Sequence, residues 1–365
     1  MCLNKEKNVL FIAPLTDRHG QGIVSISVLN AINKNSTITI INTHHSAKKR
    51  ISKIPYGIFI IFKTLITLIY FSILKNKFIV YFTPSRSLIG SNRDFFLLLI
   101  LRILNFYKPQ NNVKVIAHLH GSDLSNLLKS SSYGKILNYF YNSCNTKMIV
   151  LSRKHKKFAL GKDYNNYLII RNPIIFPEKV TAKSKPFLKK NKVLKLCFIS
   201  NPIKEKGLKE TIDWCDKTFI KFPWELNVIG WTENDFKRIY GYVNNKNIIF
   251  KGFLEGKDKF DILQNSDIFL LNSMYEAQPL VVIEALVFKC FIILSNIEML
   301  KEFGKFNNVR FFNDPNLNED VIIDNLNNSK SIKNSSNFAK KFFDIRRFEK
   351  KRFTFCGDFF RKNYR

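Results

Sequence analysis

Two glutamates eight residues apart, Glu276 and Glu284, bracket the segment Glu276-Ala-Gln-Pro-Leu-Val-Val-Ile-Glu284. It follows the apolar run Asp267-Ile-Phe-Leu-Leu271 and the turn Asn272-Ser-Met-Tyr275. A strand-to-helix turn offers backbone N–H groups and the positive end of a helix dipole, which together suit an anion. Eight residues are about two helical turns, so a helix over Glu276–Phe288 would carry both carboxylates on one face. They could then grip two hydroxyl-bearing parts of a ligand whose phosphates lie between them. The same residues also fit a solvated helix with two surface carboxylates. Three other places could do chemistry: Lys206-Gly207, the polar cluster His118-Leu-His120-Gly-Ser-Asp123, and the turn His19-Gly-Gln-Gly22. Within the cluster, His118 and His120 lie two residues apart, on the same side of an extended segment. His118 also reads as packed, and Asp123 as the cap of a following helix. Metal binding is not expected, because the H-x-H has no partner ligands at a recognisable spacing and no D-x-D occurs.

The elements that would position these residues alternate between strand and helix. Strands are expected at Val9–Ala13, Thr37–Ile41, Lys77–Phe82, Val113–Ala117, Met148–Leu151 and Tyr167–Ile170, with helices at Ile23–Ile32 and Arg93–Phe106 between them. Alternation restarts with strands Lys195–Ile199, Glu225–Ile229, Asn247–Lys251, Asp267–Leu271 and Phe291–Leu294. The helices there are Glu205–Lys221, Lys257–Gln264 and Glu276–Phe288. Continuous apolar strands alternating with helices specify parallel sheets covered on both faces. The expected domains are 1–172, a Pro- and Lys-rich linker 173–192, and 193–337. A basic, aromatic helix 338–365 would pack back toward the first domain. Asn318–Asn337 reads as a polar loop. Ligands of such sheets bind outside the carboxyl ends of the strands.

Composition narrows the classes. The chain has 365 residues, 45% of them hydrophobic, and a formal net charge of +31. That much apolar mass excludes a disordered chain. Six scattered Cys without C-x-x-C spacing exclude a disulfide scaffold. Residues 1–177 carry 25 Lys/Arg and five acids, a net of +20. Such a field implies an anionic partner. The apolar stretch Ile54–Leu74 approaches the length of a membrane span, but Lys63 near its middle would cost about 2.5–3.5 kcal/mol on insertion. A buried or interface-seeking helix fits it better. No signal peptide is read at the N-terminus, so a cytoplasmic protein is expected.

The segment Ser266–Ala285 resembles the signature of the retaining nucleotide-sugar glycosyltransferases of family 4, S-D-(apolar)-P-S-x-x-E-(G/A)-x-P-x-x-x-x-E-A. Phe198-Ile-Ser-Asn-Pro-Ile-Lys-Glu-Lys-Gly-Leu208 resembles the same family's segment ending in Lys-Gly at a helix start. The resemblance implies the GT-B fold, two Rossmann-like doubly wound parallel-sheet domains facing a cleft. It implies that Glu276 contacts the donor sugar and Glu284 the ribose. Ala277, Gln278, Pro279 and Leu280 would offer backbone groups, and Lys206 would hold the diphosphate. Asn201 stands where many members have a second phosphate cation. Gly20 and Gly22 resemble the Gly-rich loop after strand one, with Gln21 inserted. His120 falls at the family's His-containing turn, and Arg171-Asn-Pro-Ile174 resembles the close of its first domain. Base contacts are expected near Gly252, Phe253 and Leu254. An NAD enzyme is disfavoured: Ser25 replaces the third glycine, and no acid ends the second strand.

The implied activity is retaining, metal-independent hexosyl transfer from a nucleotide diphosphate sugar, with no other cofactor. The expected acceptor is a lipid-linked glycan in bacterial surface polysaccharide synthesis. The basic first half would sit peripherally on the inner face of the plasma membrane. An epimerase of the same fold, a basic nucleic-acid-binding protein and a catalytically dead scaffold are the alternatives. The nucleic-acid reading lacks any RRM, helix-turn-helix or zinc pattern.

Overall fold

A computed structural model describes residues 7–16, 19–33, 36–44, 53–74, 77–85, 88–107, 113–121, 124, 128, 131–160, 164–172, 192–242 and 245–343. Asp123, the linker up to residue 191 and the tail beyond residue 343 lie outside the described residues. The chain forms two compact units, one ending at Arg171 and the other starting at Asn172.

The first unit runs β1 (Lys7–Ala13), α1 (Gly20–Asn33), β2 (Ser36–Asn42), α2 (Lys53–Leu74), β3 (Ile79–Phe82) and α3 (Leu88–Tyr107). It continues with β4 (Lys114–His118), α4 (Ser132–Ser143), β5 (Lys147–Val150), α5 (Arg153–Leu160) and β6 (Tyr167–Ile169). The strands pair in parallel in the order β2-β1-β3-β4-β5-β6. β1 and β3 carry continuous apolar runs because both faces are covered, and every residue of β3 is buried, while the edge strand β2 alternates Thr with Ile and is largely part-exposed. Between sheet and helices the core includes Leu10, Ile12, Val80 and Phe82 from strands, with Leu68 from α2 and Leu97, Leu98 and Leu101 from α3.

The second unit runs β7 (Leu194–Ile199), α6 (Leu208–Thr218), β8 (Trp224–Ile229), α7 (Glu233–Tyr240), β9 (Ile248–Gly252) and α8 (Gly256–Asn265). Then follow β10 (Ile268–Leu271), α9 (Leu280–Val287), β11 (Phe291–Leu294), β12 (Val309–Phe311), α10 (Glu319–Asn327) and α11 (Ser329–Phe342). Its parallel order is β12-β11-β10-β7-β8-β9. Side chains alternate strictly here. Phe269 and Leu271 of β10 join one core, while Ile268 and Leu270 join the core on the opposite face.

Three sequence expectations are corrected. The helix expected over Glu276–Phe288 begins only at Leu280, with Pro279 in the capping position. Proline disfavours a helical conformation at the residue before it, so Gln278 cannot continue a helix upstream. Glu276 therefore sits on a loop, and the shared-face argument for the two glutamates fails. The helix expected from Glu205 begins at Leu208, because Gly207 takes a left-handed conformation at φ +68° after the 3-10 turn Lys204–Lys206. Asn318–Asn337 is not a loop but contributes most of α10 and α11. Asn318 accepts the Val321 N–H and Asn328 accepts the Ser331 N–H, so the asparagines are N-caps rather than loop markers. Between them Ile322, Ile332 and Ser336 turn inward.

Candidate functional site: the carboxyl edge of the second sheet

Chain order reverses at one place in the second sheet. From β7 the chain steps outward through β8 and β9, and then β10 returns to the other side of β7. A crevice at such a reversal, beyond the carboxyl ends of the strands, is where doubly wound sheets take ligands. The β7 exit carries Lys206 and the β10 exit carries Glu276. Lys206 Nζ lies 2.5 Å from Glu276 Oε1, with both side chains largely shielded from solvent.

The chain achieves this contact through Gly207. A Cβ there would lie 2.2 Å from the Asn272 carbonyl oxygen, and the positive φ is itself costly for any other residue. The two exits are then stitched by backbone. Met274 N–H donates to the Glu205 carbonyl at 2.8 Å, and Ser273 Oγ approaches the same oxygen at 3.4 Å. The physical content of the Lys-Gly pair is thus a cation followed by the only residue that lets its loop lie against the glutamate's loop.

Glu284 lies on α9, buried, with Oε1 2.7 Å from Lys259 Nζ of α8. Its other oxygen, Oε2, is buried and has no hydrogen-bond partner among the described residues. A buried acceptor without a donor is costly, so this oxygen is suited to a ligand hydroxyl. Sequence reasoning missed Lys259. It is one of many lysines, and only the fold brings it to Glu284 across 25 positions.

The stretch after Glu276 is held from behind. Gln278 Oε1 accepts the Asn172 N–H at 2.7 Å, and Gln278 Nε2 donates to Glu302 at 3.0 Å. Asn172 Nδ2 donates to the Gln278 carbonyl at 3.0 Å. Gln278 thus turns its side chain and carbonyl into the protein. Pro279 has no N–H, so of the four residues expected to offer amides only Ala277, Gln278 and Leu280 can. Leu280 opens α9, whose first-turn N–H groups lack intrahelical acceptors.

The neighbouring exits complete the edge. Asn201 is exposed just after β7. Trp231 is fully buried after β8 and donates its indole N–H to Ser200 Oγ at 2.9 Å. Gly230 has φ +88°, and a Cβ there would lie 2.1 Å from the Ser200 carbonyl oxygen, which keeps the β7 and β8 exits together. A register shift pairs Ile229 with Gly252. Gly252 exchanges backbone bonds with Gly230 and Trp231, and the next residue, Phe253, is left exposed.

The other sequence candidates belong to the first unit. Gly20 and Gly22 do not form a loop but lie in the first turn of α1. His19 caps that turn by accepting the Gly22 N–H on Nδ1 at 3.1 Å. A Cβ on Gly22 would lie 2.1 Å from the Thr16 carbonyl oxygen. Burial and the neighbouring His44 push the His19 pKa down, which favours the neutral ring that can accept this bond. His118 ends β4, buried, with Nδ1 2.7 Å from the Tyr81 hydroxyl. His120 follows, its ring 4.2 Å from that of His118.

His155 is the residue of this region that the sequence did not disclose. Fully buried on α5, it accepts the Leu151 N–H on Nδ1 at 3.0 Å. Its Nε2 lies 2.9 Å from the Gly121 carbonyl, so the Nε2–H tautomer donates there. The ring clamps the turn that carries His120. Burial pushes its pKa down.

Residues 179–342 match the family described as Glycosyl transferases group 1. No curated protein sequence matches the chain. Among solved structures, HepE of Anabaena in complex with UDP and glucose superposes with a TM-score of 0.62 at 11% identity. It covers 94% of this chain and 97% of its own. Sucrose-phosphate synthase of Thermosynechococcus elongatus gives 0.67 at 10% identity, covering 98% and 100%. A trehalose-6-phosphate synthase studied for glycosyl transfer with retention gives 0.60 at 11% identity, covering 96% and 98%. At these identities the structures establish the fold. The structures thus show the two-sheet GT-B fold over the whole chain, and the similarity to glycosyl transferases group 1 falls on its second half.

Proposed function

We propose that the chain transfers a hexose, with retention and without a metal, from a nucleotide diphosphate sugar to a glycan acceptor. The acceptor is lipid-linked and belongs to bacterial surface polysaccharide synthesis at the cytoplasmic face of the membrane. The observation that carries the donor half of this reading is the pairing of Lys206 with Glu276 at the reversal point of the second sheet. Lys206 holds the diphosphate oxygens, assisted by amides at the start of α9. Glu276 takes hydroxyls of the sugar, and Glu284 Oε2 takes a hydroxyl of the ribose. Asn201 adds a neutral hydrogen bond where a second cation is usual in the resembled family. Gly252, Phe253 and Leu254 face the base. His120 is the first unit's candidate for contact with the sugar.

In the reaction the bond between the anomeric carbon and the diphosphate oxygen breaks. The acceptor hydroxyl oxygen bonds that carbon on the same face, and its proton passes to the leaving diphosphate. Negative charge grows on that diphosphate, and a preplaced cation with oriented amides stabilises it. The similarity to a synthase studied for transfer with retention supports the stereochemistry. The family match supports a sugar donor.

Lys206→Ala and Glu276→Ala are each expected to lower kcat/KM by at least about 100-fold, a loss typical of removing one charge-stabilising group. The unfolding midpoint should stay within a few degrees. Turnover near wild type in either variant removes the assignment. Sugar interconversion in the absence of any acceptor would replace transfer by epimerisation.

A further inference from the structure

Helix α2 has two apolar stripes, and the fold uses one. Ile60, Thr64, Leu68 and Phe71 are buried at helical spacing, and Ile60, Leu68 and Phe71 join the core with Leu97 and Leu101 of α3. At about 100° per residue, Phe59, Phe62, Ile66, Ile69 and Ile73 form a second stripe on the opposite side. All five face solvent, Phe62 at 60% and Ile66 at 66% exposure. Helix α3 repeats the pattern on a smaller scale. Phe96, Ile103 and Tyr107 share its outer side, and Tyr107 and its neighbour Phe106 are both more than three-quarters exposed. Scattered exposed leucines need no explanation, but a continuous stripe this long marks a surface that meets something apolar.

Charge identifies what it meets. Between Asp17 and Asp94 the sequence has eleven Lys/Arg and no acid. Lys48, Lys49, Arg50 and Lys53 precede or open α2, and Lys75 and Lys77 follow it. A second copy of the chain would set this field against itself. A transmembrane span would have to expose the stripe that now builds the core and carry Lys63 inside the bilayer. An anionic lipid surface satisfies both properties at once: acyl chains accept the stripe, and headgroups accept the cations at its ends. Lys63 lies toward the margin of the outer stripe, where its stem can run along the apolar face and its ammonium can reach the headgroups.

We infer that α2 docks the first unit on the anionic bilayer as an in-plane helix, buried to the headgroup–acyl boundary on its Phe62–Ile66 side. This deepens the membrane part of the proposed function and stands apart from its catalytic part, since vesicle binding needs no donor.

The test uses the full chain with phosphatidylcholine vesicles and with vesicles containing phosphatidylglycerol. The three native Trp residues, at 214, 224 and 231, all lie in the second unit. Phe62→Trp therefore places a single reporter on the stripe, and Ile220→Trp, at an exposed site of the second unit, is its control. Brominated acyl chains should quench the added fluorescence of Phe62→Trp and not that of Ile220→Trp. The double variant Phe62→Glu/Ile66→Glu should lower partitioning to the anionic vesicles at least about tenfold while leaving the unfolding transition unchanged. An unquenched Phe62→Trp, or undiminished partitioning of the double variant, overturns the proposal. So does lipid-free self-association that the double variant abolishes, which would assign the stripe to a second copy.

Discussion

Gly207 shows how much of the site depends on an atom that is missing. Two separate restrictions meet there: a left-handed backbone and an Asn272 carbonyl where a Cβ would stand. Gly256, with φ +55° and nothing within 4 Å of its Cβ position, carries only the first. Gly256→Ala should therefore cost about 1–2 kcal/mol, the usual penalty for a left-handed L-residue. Gly207→Ala should cost more than that, about 3 kcal/mol or above, because backbone must move as well. Urea unfolding of the two variants measures the difference. If they lose the same stability, the close approach is not what fixes Gly207. The sequence made Lys206, Glu276 and Glu284 visible through spacing and resemblance. Lys259 and His155 stayed hidden because neither stands in a motif. Their roles arise from α8 lying beside α9 and from α5 lying beside the β4 exit.

Elements were legible where apolar runs were continuous and obscure where local signals pulled against burial. The central strands of both sheets were evident because a covered parallel strand is largely apolar, whereas β12 was not expected, since Val309-Arg-Phe311 is too short a run to read. α10 and α11 were not evident, since the stretch around them is polar and rich in Asn and Ser and the inward-facing residues are few. At the other extreme the Glu276 segment looked helical from its spacing until Pro279 set the true start of α9. The clamp of α5 on the β4 exit makes a pH prediction. His155 has a folded pKa below its unfolded value, so the folded state binds fewer protons there. Its contribution is complete above the unfolded pKa of about 6.5 and is lost as pH falls through the lower folded value. His19 acts in the same direction. Stability should fall between pH 7.5 and pH 5.5, a window about one unit either side of that unfolded value. His155→Asn should show a shallower fall across the same window. Equal slopes in urea titrations of the two proteins would remove His155 as the cause.

Across the whole molecule, charge and chemistry are divided between the units. The first half has almost no acids to offset its cations, while the second sets lysines against glutamates at short range. Salt should therefore separate two activities of one chain. Vesicle partitioning depends on charges exposed to mobile ions and should weaken steeply between about 0.05 and 0.5 M salt. Donor binding depends on shielded pairs and should change much less. Titrating both on one preparation tests this, and parallel losses would mean that the two are not electrostatically distinct. Charge asymmetry was readable from the sequence by counting. The double stripe of α2 was not, because a helix that is apolar all round gives no sign of which side the fold will take.

The contact between Lys206 and Glu276 also has a logical consequence. In this contact each group has its counter-charge, so that spot of the edge is close to electroneutral. A molecule bringing only anionic oxygens captures the lysine and strands the carboxylate. One bringing only hydroxyls does the reverse. A ligand carrying both, joined at the right distance, satisfies the two groups together and leaves neither unpartnered. On the proposed reading the pair acts as a coincidence gate, and inorganic phosphate or free sugar offered separately is expected to bind more weakly than the two joined in one molecule.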